Sequence, residues 1–293
     1  MSYAAAMADP GTPRTALVLG GGGITGIAWE IGLLTGLREA GVDLTAADLV
    51  VGTSAGSVVG AQITTGMGLD DLYRRQLEPP ETGRLARVGP RVLAGWLLAG
   101  LLARGDPAAF GRRVGGASVR AAAAGRTPTL EERLAAISAR LPVQSWPDRD
   151  LRITAVDATT GELRVLTAAS GVDLVTAVAA SCAVPSVYPP VPVHGRPHVD
   201  GGMRSGANVD LATGAERLVV LAPTPRGFAT MASAASQAAA WPPNHALVLS
   251  PDAGAVRAIG KNVLDPAARA AAAEAGRSQA VAAADGVRAA WAG

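Results

Sequence analysis

Asp48-Leu49-Val50-Val51-Gly52-Thr53-Ser54-Ala55-Gly56 is the stretch whose reading decides the fold. An apolar run ends in a serine set between small residues, and residues 57–65 continue with helix-compatible composition. The pattern predicts a strand, a sharp turn and a helix. The small flanking residues, Gly52 and Gly56 above all, let the chain turn abruptly, so the serine oxygen stands exposed at a strand end. The helix that begins there directs a partial positive charge at it. With 36 glycines in 293 residues, Gly-x-Ser-x-Gly also arises by chance. The surrounding chain has to decide.

Upstream, Thr15–Leu19 is a short apolar strand. Gly20 to Gly23 follow, then Ile24-Thr25-Gly26. Residues 27–39 carry Ile27, Ile31, Leu34 and Leu37 at helical spacing and stop at Gly41. Strand, helix, strand, helix is a right-handed parallel unit. Strands apolar at every position fit a sheet covered on both faces.

Downstream, residues 67–150 read as a helical insertion. Leu69–Leu77 is helical and Pro79-Pro80 breaks it; 92–102 is strongly apolar but too short to span a bilayer; 130–141 is an amphipathic helix. The sheet resumes at 151–156 and 162–167. A short helix over 174–180 and a stiff proline-rich segment over 185–192 follow, then strands at 218–221 and 246–249. The expected organisation is a flexible arm over 1–14 and one α/β domain over 15–293, with the insertion at 67–150 and an Ala-rich helical tail at 265–291.

Hydrophobic residues make up 49%, enough for a substantial core. Aromatics are only 3%, so Ala, Val and Leu must build it. The formal net charge is +2, and no basic block is interleaved with aromatics, which argues against nucleic acid as a partner. Cys182 is the only cysteine, so an intrachain disulfide is excluded. Residues 1–13 lack the basic and apolar regions of a signal peptide. A soluble, cytoplasmic protein is expected.

Two glycine-rich turns leave neighbouring strands. Gly21, Gly23 and Gly26 spell Gly-x-Gly-x-x-Gly, the phosphate turn of dinucleotide-binding proteins. That fingerprint needs an acidic residue closing the second strand. Here Asp43 and Asp48 precede the strand, and Ser54 holds the place of the acid. The glycines suit an oxyanion hole better, because unobstructed backbone N–H groups can meet the charge of an acyl-transfer transition state.

A serine nucleophile needs a base. The chain has three histidines, His194, His198 and His245. Ser54, Asp200 and His245 match a Ser-Asp-His order, and His198 shares a strand face with Asp200. Asp200 itself precedes Gly201-Gly202, which let the chain turn away and leave the carboxylate at a strand end. A carboxylate acts as a base when a dry site raises its pKa. An ordinary Asp-Gly turn is the plainer alternative.

Gly20-Gly21-Gly22-Gly23-Ile24-Thr25-Gly26, Gly52-Thr53-Ser54-Ala55-Gly56 and Asp200-Gly201-Gly202, in that order, resemble the three signatures of the patatin-like phospholipases. Ala180-Ser181-Cys182-Ala183-Val184-Pro185, with Tyr188-Pro189-Pro190, is similar to the Ala-Ser-x-Ala-x-Pro stretch before that family's aspartate. The likeness runs from Thr15 to about Val220 and is weakest across the insertion. It implies a three-layer α/β/α sandwich with a mostly parallel sheet. It also implies a Ser54–Asp200 dyad, with oxyanion donors from Gly21, Gly22 and Gly23. The implied reaction is hydrolysis of lipid acyl esters through an acyl-enzyme, without metal or cofactor, and no histidine is required. The implied partner is a lipid or acyl ester, with transient contact to a membrane surface. Val92 to Leu102, apolar with Trp96 and with Arg91 and Arg104 at its edges, reads as a lid or interfacial helix, or equally as an ordinary core helix of the insertion. The family's basic residue is replaced here by Thr25, which makes a neutral acyl ester as plausible a substrate as a phospholipid. A vestigial acyl-binding protein and a dinucleotide enzyme are the competing readings.

Overall fold

A computed structural model describes residues 14–80, 86–224 and 232–292. The arm expected over 1–14 lies outside the described residues apart from Arg14. The first unit has the expected order: β1 (Thr15–Leu19), α1 (Gly23–Glu39), β2 (Leu49–Gly52) and α2 (Ala55–Thr64). Strands β1 and β2 pair in parallel, with Leu19 opposite Gly52. Leu17 and Leu19 enter one apolar core, while Ala16 and Val18 enter another on the opposite face. This is the period-two alternation of a strand buried on both sides. Helix α1 starts at Gly23, inside the glycine run, and not at Ile27 where the apolar periodicity begins.

Among the described residues the insertion holds four helices: α3 (Leu69–Leu77), α4 (Pro90–Ala103), α5 (Pro107–Ala123) and α6 (Leu130–Ser138). Helix α5 escaped the sequence reading, although Asp106 caps it and Pro107 opens it, both ordinary start signals. Then come β3 (Asp150–Asp157), β4 (Leu163–Leu166), α7 (Leu174–Ser181), β5 (Val191–Val193) and β6 (Arg196–Asp200). The proline-rich segment thus runs into β5, at the sheet edge, where a missing N–H is tolerated. The chain closes with β7 (Arg217–Leu221), α8 (Ala234–Ala238), β8 (Ala246–Leu249), α9 (Ala253–Ile259) and α10 (Arg269–Ala292).

The sheet has the order β5-β6-β3-β2-β1-β7-β8, with β4 also on β3. From β3 to β8 it is parallel; β4, β5 and β6 join antiparallel at one end. Register places the site. Gly52 lies opposite Ile153, and Asp200 lies opposite Ala155. Strand β4 takes the other edge of β3 over the same residues. So β2 and β6 lie end to end along one edge of β3. One is parallel to β3 and the other antiparallel, so their C-terminal ends meet, with Thr154 between them.

One face of the sheet is covered by α1, α2, α7, α9 and α10. The other is covered by α4 and α5 near β6, and by α8 and the turn Val209–Ala212 near β1 and β7. This is the three-layer α/β/α sandwich. The Ala-rich 265–291 segment is built into a layer: α10 lies along α1 at very short range. A Cβ on Gly32 would come within 2.0 Å of the Ala273 carbonyl oxygen, and one on Gly276 within 2.3 Å of the Trp29 oxygen. Trp29 Nε1 donates to Gln279 Oε1 at 3.0 Å. On α1, Glu30 is fully buried, and neither carboxyl oxygen has a hydrogen-bond partner. Burial holds its pKa well above the ordinary value; the nearby Gly20 N–H is committed to the Leu221 carbonyl.

Candidate active site

Ser54 occupies φ 50°, ψ −112°, a conformation natural to glycine and costly for serine. The surroundings impose it. Thr53 N–H donates to the Leu19 carbonyl at 3.0 Å, and Gly56 N–H to the Gly20 carbonyl at 3.0 Å, tying the turn to β1. A Cβ at Gly56 would stand 2.1 Å from the Leu19 oxygen, so no side chain fits where α2 starts against the end of β1. Gly52 is as tightly placed against the first turn of α2, and Gly26 packs on Ala55. Ser54 is 8% exposed. Its N–H donates to Ser181 Oγ at 2.9 Å, and Cys182 Sγ donates to its carbonyl at 3.2 Å. The Ala180–Pro185 stretch therefore braces the serine turn. The sequence reading used those residues only as a pattern.

Asp200 ends β6 and is 3% exposed. Its Oδ1 accepts the Gly202 N–H at 2.7 Å. Burial pushes its pKa up to about 6, against the opposing pull of the neighbouring Ser54 side chain, the Gly202 N–H and the Arg133 charge. Gly201 is required at the turn, because a Cβ there would lie 2.2 Å from Thr154 Oγ1. Thr154 Oγ1 donates to Thr53 Oγ1 at 2.9 Å, and Asn208 Nδ2 donates to the same oxygen at 3.0 Å. These hydroxyls stitch the two strand ends together. Arg204 fixes the loop that follows through a two-pronged pair with Asp210 at 2.7 Å. Thr154, Asn208 and Arg133 carry no signal in the sequence. Their roles are long-range contacts.

The glycine loop flanks Ser54. A Cβ on Gly21 would lie 3.5 Å from the Ser54 Cβ. The Gly21 N–H, however, donates to the Gly206 carbonyl at 2.7 Å. Among the described residues, the N–H groups of Gly22, Gly23 and Ala55 donate to no protein acceptor. Thr25 is buried and turned away, its Oγ1 donating to the Val263 carbonyl at 3.3 Å.

The histidines lie apart from this arrangement. His245 precedes β8 at the N-terminal end of the parallel strands, whereas Ser54 stands at the C-terminal end, about 13 Å away along the strand direction. His198 pairs opposite Asp157, its Nδ1 engaged with the Arg196 carbonyl at 2.8 Å. Burial lowers its pKa, so its neutral form is favoured. His194 is exposed and meets the Ser170 carbonyl. Asp48, which precedes β2 and does not close it, caps the N-terminal end of β1 by accepting the Thr15 N–H at 2.8 Å.

The chain is thus a three-layer α/β protein with a serine on a nucleophile-elbow-type turn between strand and helix. The sequence model of the patatin-like phospholipases matches residues 17–213, so the chain belongs to that family, a family of lipid acyl-ester hydrolases. No curated protein matches the sequence significantly. Two solved structures are similar. VipD from Legionella pneumophila is 13% identical at TM-score 0.48, over 94% of this chain and 67% of that one. The type III effector protein ExoU is 19% identical at TM-score 0.36, over 92% of this chain and 53% of that one. At these scores neither likeness carries an argument; the family assignment rests on the sequence match.

Proposed function

We propose that the protein cleaves lipid acyl esters with Ser54 as nucleophile and Asp200 as its general base. The observation that carries this reading is the meeting of β2 and β6 along β3, which sets the Ser54 turn beside a buried carboxyl group whose pKa is raised to about 6. Such a carboxylate is ionised at neutral pH and basic enough to take a proton. As Ser54 Oγ attacks the acyl carbonyl, its proton passes to Asp200. The tetrahedral oxyanion collapses, the ester C–O bond breaks, and the leaving alcohol takes that proton. Water then gives a proton to Asp200 and attacks the acyl-enzyme, releasing the fatty acid and restoring Ser54.

The uncommitted N–H groups of Gly22, Gly23 and Ala55 are the donors available to the oxyanion, at the N-termini of α1 and α2. Gly21 serves in this reading by leaving space beside Ser54, since its N–H is taken by Gly206. The test is covalent labelling by a fluorophosphonate probe, paired with hydrolysis of p-nitrophenyl butyrate. Wild type labels and turns over. Ser54→Ala loses both, by roughly a thousandfold or more in rate. Labelling that persists in Ser54→Ala would falsify the assignment.

Helix α4 supports contact with a lipid surface. It buries only the small residues Ala99, Gly100 and Ala103 and leaves Leu97, Leu98 and Leu101 at 52%, 56% and 76% exposure. Trp96 is half-buried, packed on the cluster that contains Val199 and Met203, next to Asp200. An apolar helix left in water and bordered by Arg91 and Arg104 has the character of an interfacial anchor.

A further inference from the structure

A cavity of ≈1810 Å³ opens beside the acyl site. Neither Ser54 nor Asp200 lines it. Ile24, which adjoins the glycine loop, and Val58, one helical turn past Ser54, do. Its wall holds six arginines, Arg75, Arg87, Arg126, Arg133, Arg140 and Arg269, against two acids, Glu78 and Glu132. None of the six makes an ion pair among the described residues. Elsewhere arginines find carboxylates, as Arg204 does with Asp210 and Arg277 with Glu39. Glu132 is already spent on its own helix, accepting the Thr129 N–H at 2.7 Å in a capping box.

Arg133 and Arg140 are also sheltered from solvent at the inner wall, whereas Arg75, Arg87 and Arg126 stand exposed toward its mouth. Arg133 is 8% exposed. Its Nη2 donates to the Cys182 carbonyl at 2.9 Å and its guanidinium stacks on Tyr188 at 3.8 Å, but its Nε has no partner. Burial, and then the like charge of Arg133, hold Arg140 below its ordinary pKa. Sheltered guanidinium groups without counter-charges are costly unless an anion joins them. Their planar forks suit phosphate oxygens. A zwitterionic head group would bring an ammonium into the same field, with little carboxylate to receive it.

We infer that this cavity receives the phosphate of the substrate's non-acyl part, and that the enzyme selects acyl esters with an anionic phosphate head group over zwitterionic or neutral ones. The selectivity rests on the Ser54 reading; the anion site does not. The cavity supplies, from α3, α6, α10 and the segments between them, the positive charge that Thr25 lacks in the glycine loop.

Two measurements test it. In the first, Ser54→Ala protein is titrated calorimetrically with sn-glycerol-3-phosphate, glycerol and inorganic phosphate. Glycerol-3-phosphate binds, glycerol does not, and Arg126→Gln/Arg140→Gln on the same background weakens binding at least tenfold. Raising sodium chloride from 50 to 500 mM weakens it as well. In the second, wild type hydrolyses 1-acyl-glycerol-3-phosphate with a kcat/KM at least tenfold above that for 1-acyl-glycero-3-phosphocholine, and the double variant loses the preference through KM. Absence of glycerol-3-phosphate binding overturns the site. Equal hydrolysis of the two lipids, or inorganic phosphate binding as tightly with no lipid preference, overturns the head-group assignment. Binding that depends on the arginines without hydrolysis of any ester upholds the anion site and sinks the Ser54 reading instead.

Discussion

At the scale of single residues, Ser54 and Asp200 are both held in states the unfolded chain would not choose. Ser54 has a backbone conformation that costs a non-glycine residue about 1–3 kcal/mol. Ser54→Ala keeps that strain, whereas Ser54→Gly relieves it. Both variants should be inactive, and urea denaturation should place Ser54→Gly about 1 kcal/mol above Ser54→Ala; the reverse order would mean that the turn is unstrained. Asp200 has its pKa raised from 3.8 to about 6. A raised carboxyl pKa stabilises the fold fully below the unfolded value, and that contribution is lost as pH rises through 6. At pH 8 the ionised Asp200 therefore costs about 3 kcal/mol, from roughly two pKa units at 1.36 kcal/mol each. Asp200→Asn should then be more stable than wild type at pH 8, with the difference vanishing below pH 4. In wild type, kcat/KM should climb through pH 6 to a plateau, since only the ionised form accepts the proton. A rate that is flat from pH 5 to 8 would exclude Asp200 as the base.

At the scale of elements, the close approach of α1 and α10 determines how the glycine loop is held. Helix α1 carries the loop at its N-terminus, and α10 fixes the axis of α1 through Gly32, Gly36 and Gly276. Gly32→Ala would drive a methyl group into the Ala273 carbonyl and push the helices apart, for about 1–3 kcal/mol. Gly95→Ala is the control: it lies inside α4 with open space around it. There the better helix propensity of alanine should stabilise by up to about 1 kcal/mol. Thermal denaturation of the two variants should shift in opposite directions. The meeting of β2 and β6 along β3 is the other element-level device. It brings a serine and an aspartate together without a loop having to reach across.

Over the whole molecule, the polar and apolar features are sorted by side. The five-strand parallel run turns its C-terminal ends toward the serine turn and the glycine loop. Helix α4 offers leucines to solvent on the side of Asp200, and the arginine-lined cavity lies on the side of the glycine loop. Under the proposed function, an acyl chain drawn from a bilayer and an anionic head group would have separate approaches to Ser54. Replacing Leu97, Leu98 and Leu101 by serine should change stability by no more than about 0.5 kcal/mol per site, because those side chains are already exposed. Co-sedimentation with anionic liposomes should fall at least tenfold. Unchanged binding by the folded triple variant would remove α4 from the membrane contact.

Much of the sheet and both halves of the candidate site were legible in the chain. Strands β1, β2, β7 and β8 announce themselves as short apolar runs, and the turns at Gly52–Gly56 and Gly201–Gly202 as small residues where backbones crowd. These are local effects, written in neighbouring residues. Composition misleads where environment decides. Residues 92–102 are apolar enough for a core helix, yet α4 turns its leucines to water. An Ala-rich tail reads as an appendage, yet α10 packs tightly along α1. Which amide of the glycine loop is spent on Gly206, and which arginines lack a carboxylate, depends on groups distant in sequence. So does the meeting of Ser54 and Asp200 at the facing ends of β2 and β6. Local sterics and periodicity shaped the parts; strand register, desolvation and the pairing of charges across the fold could be decided only when the parts were packed together.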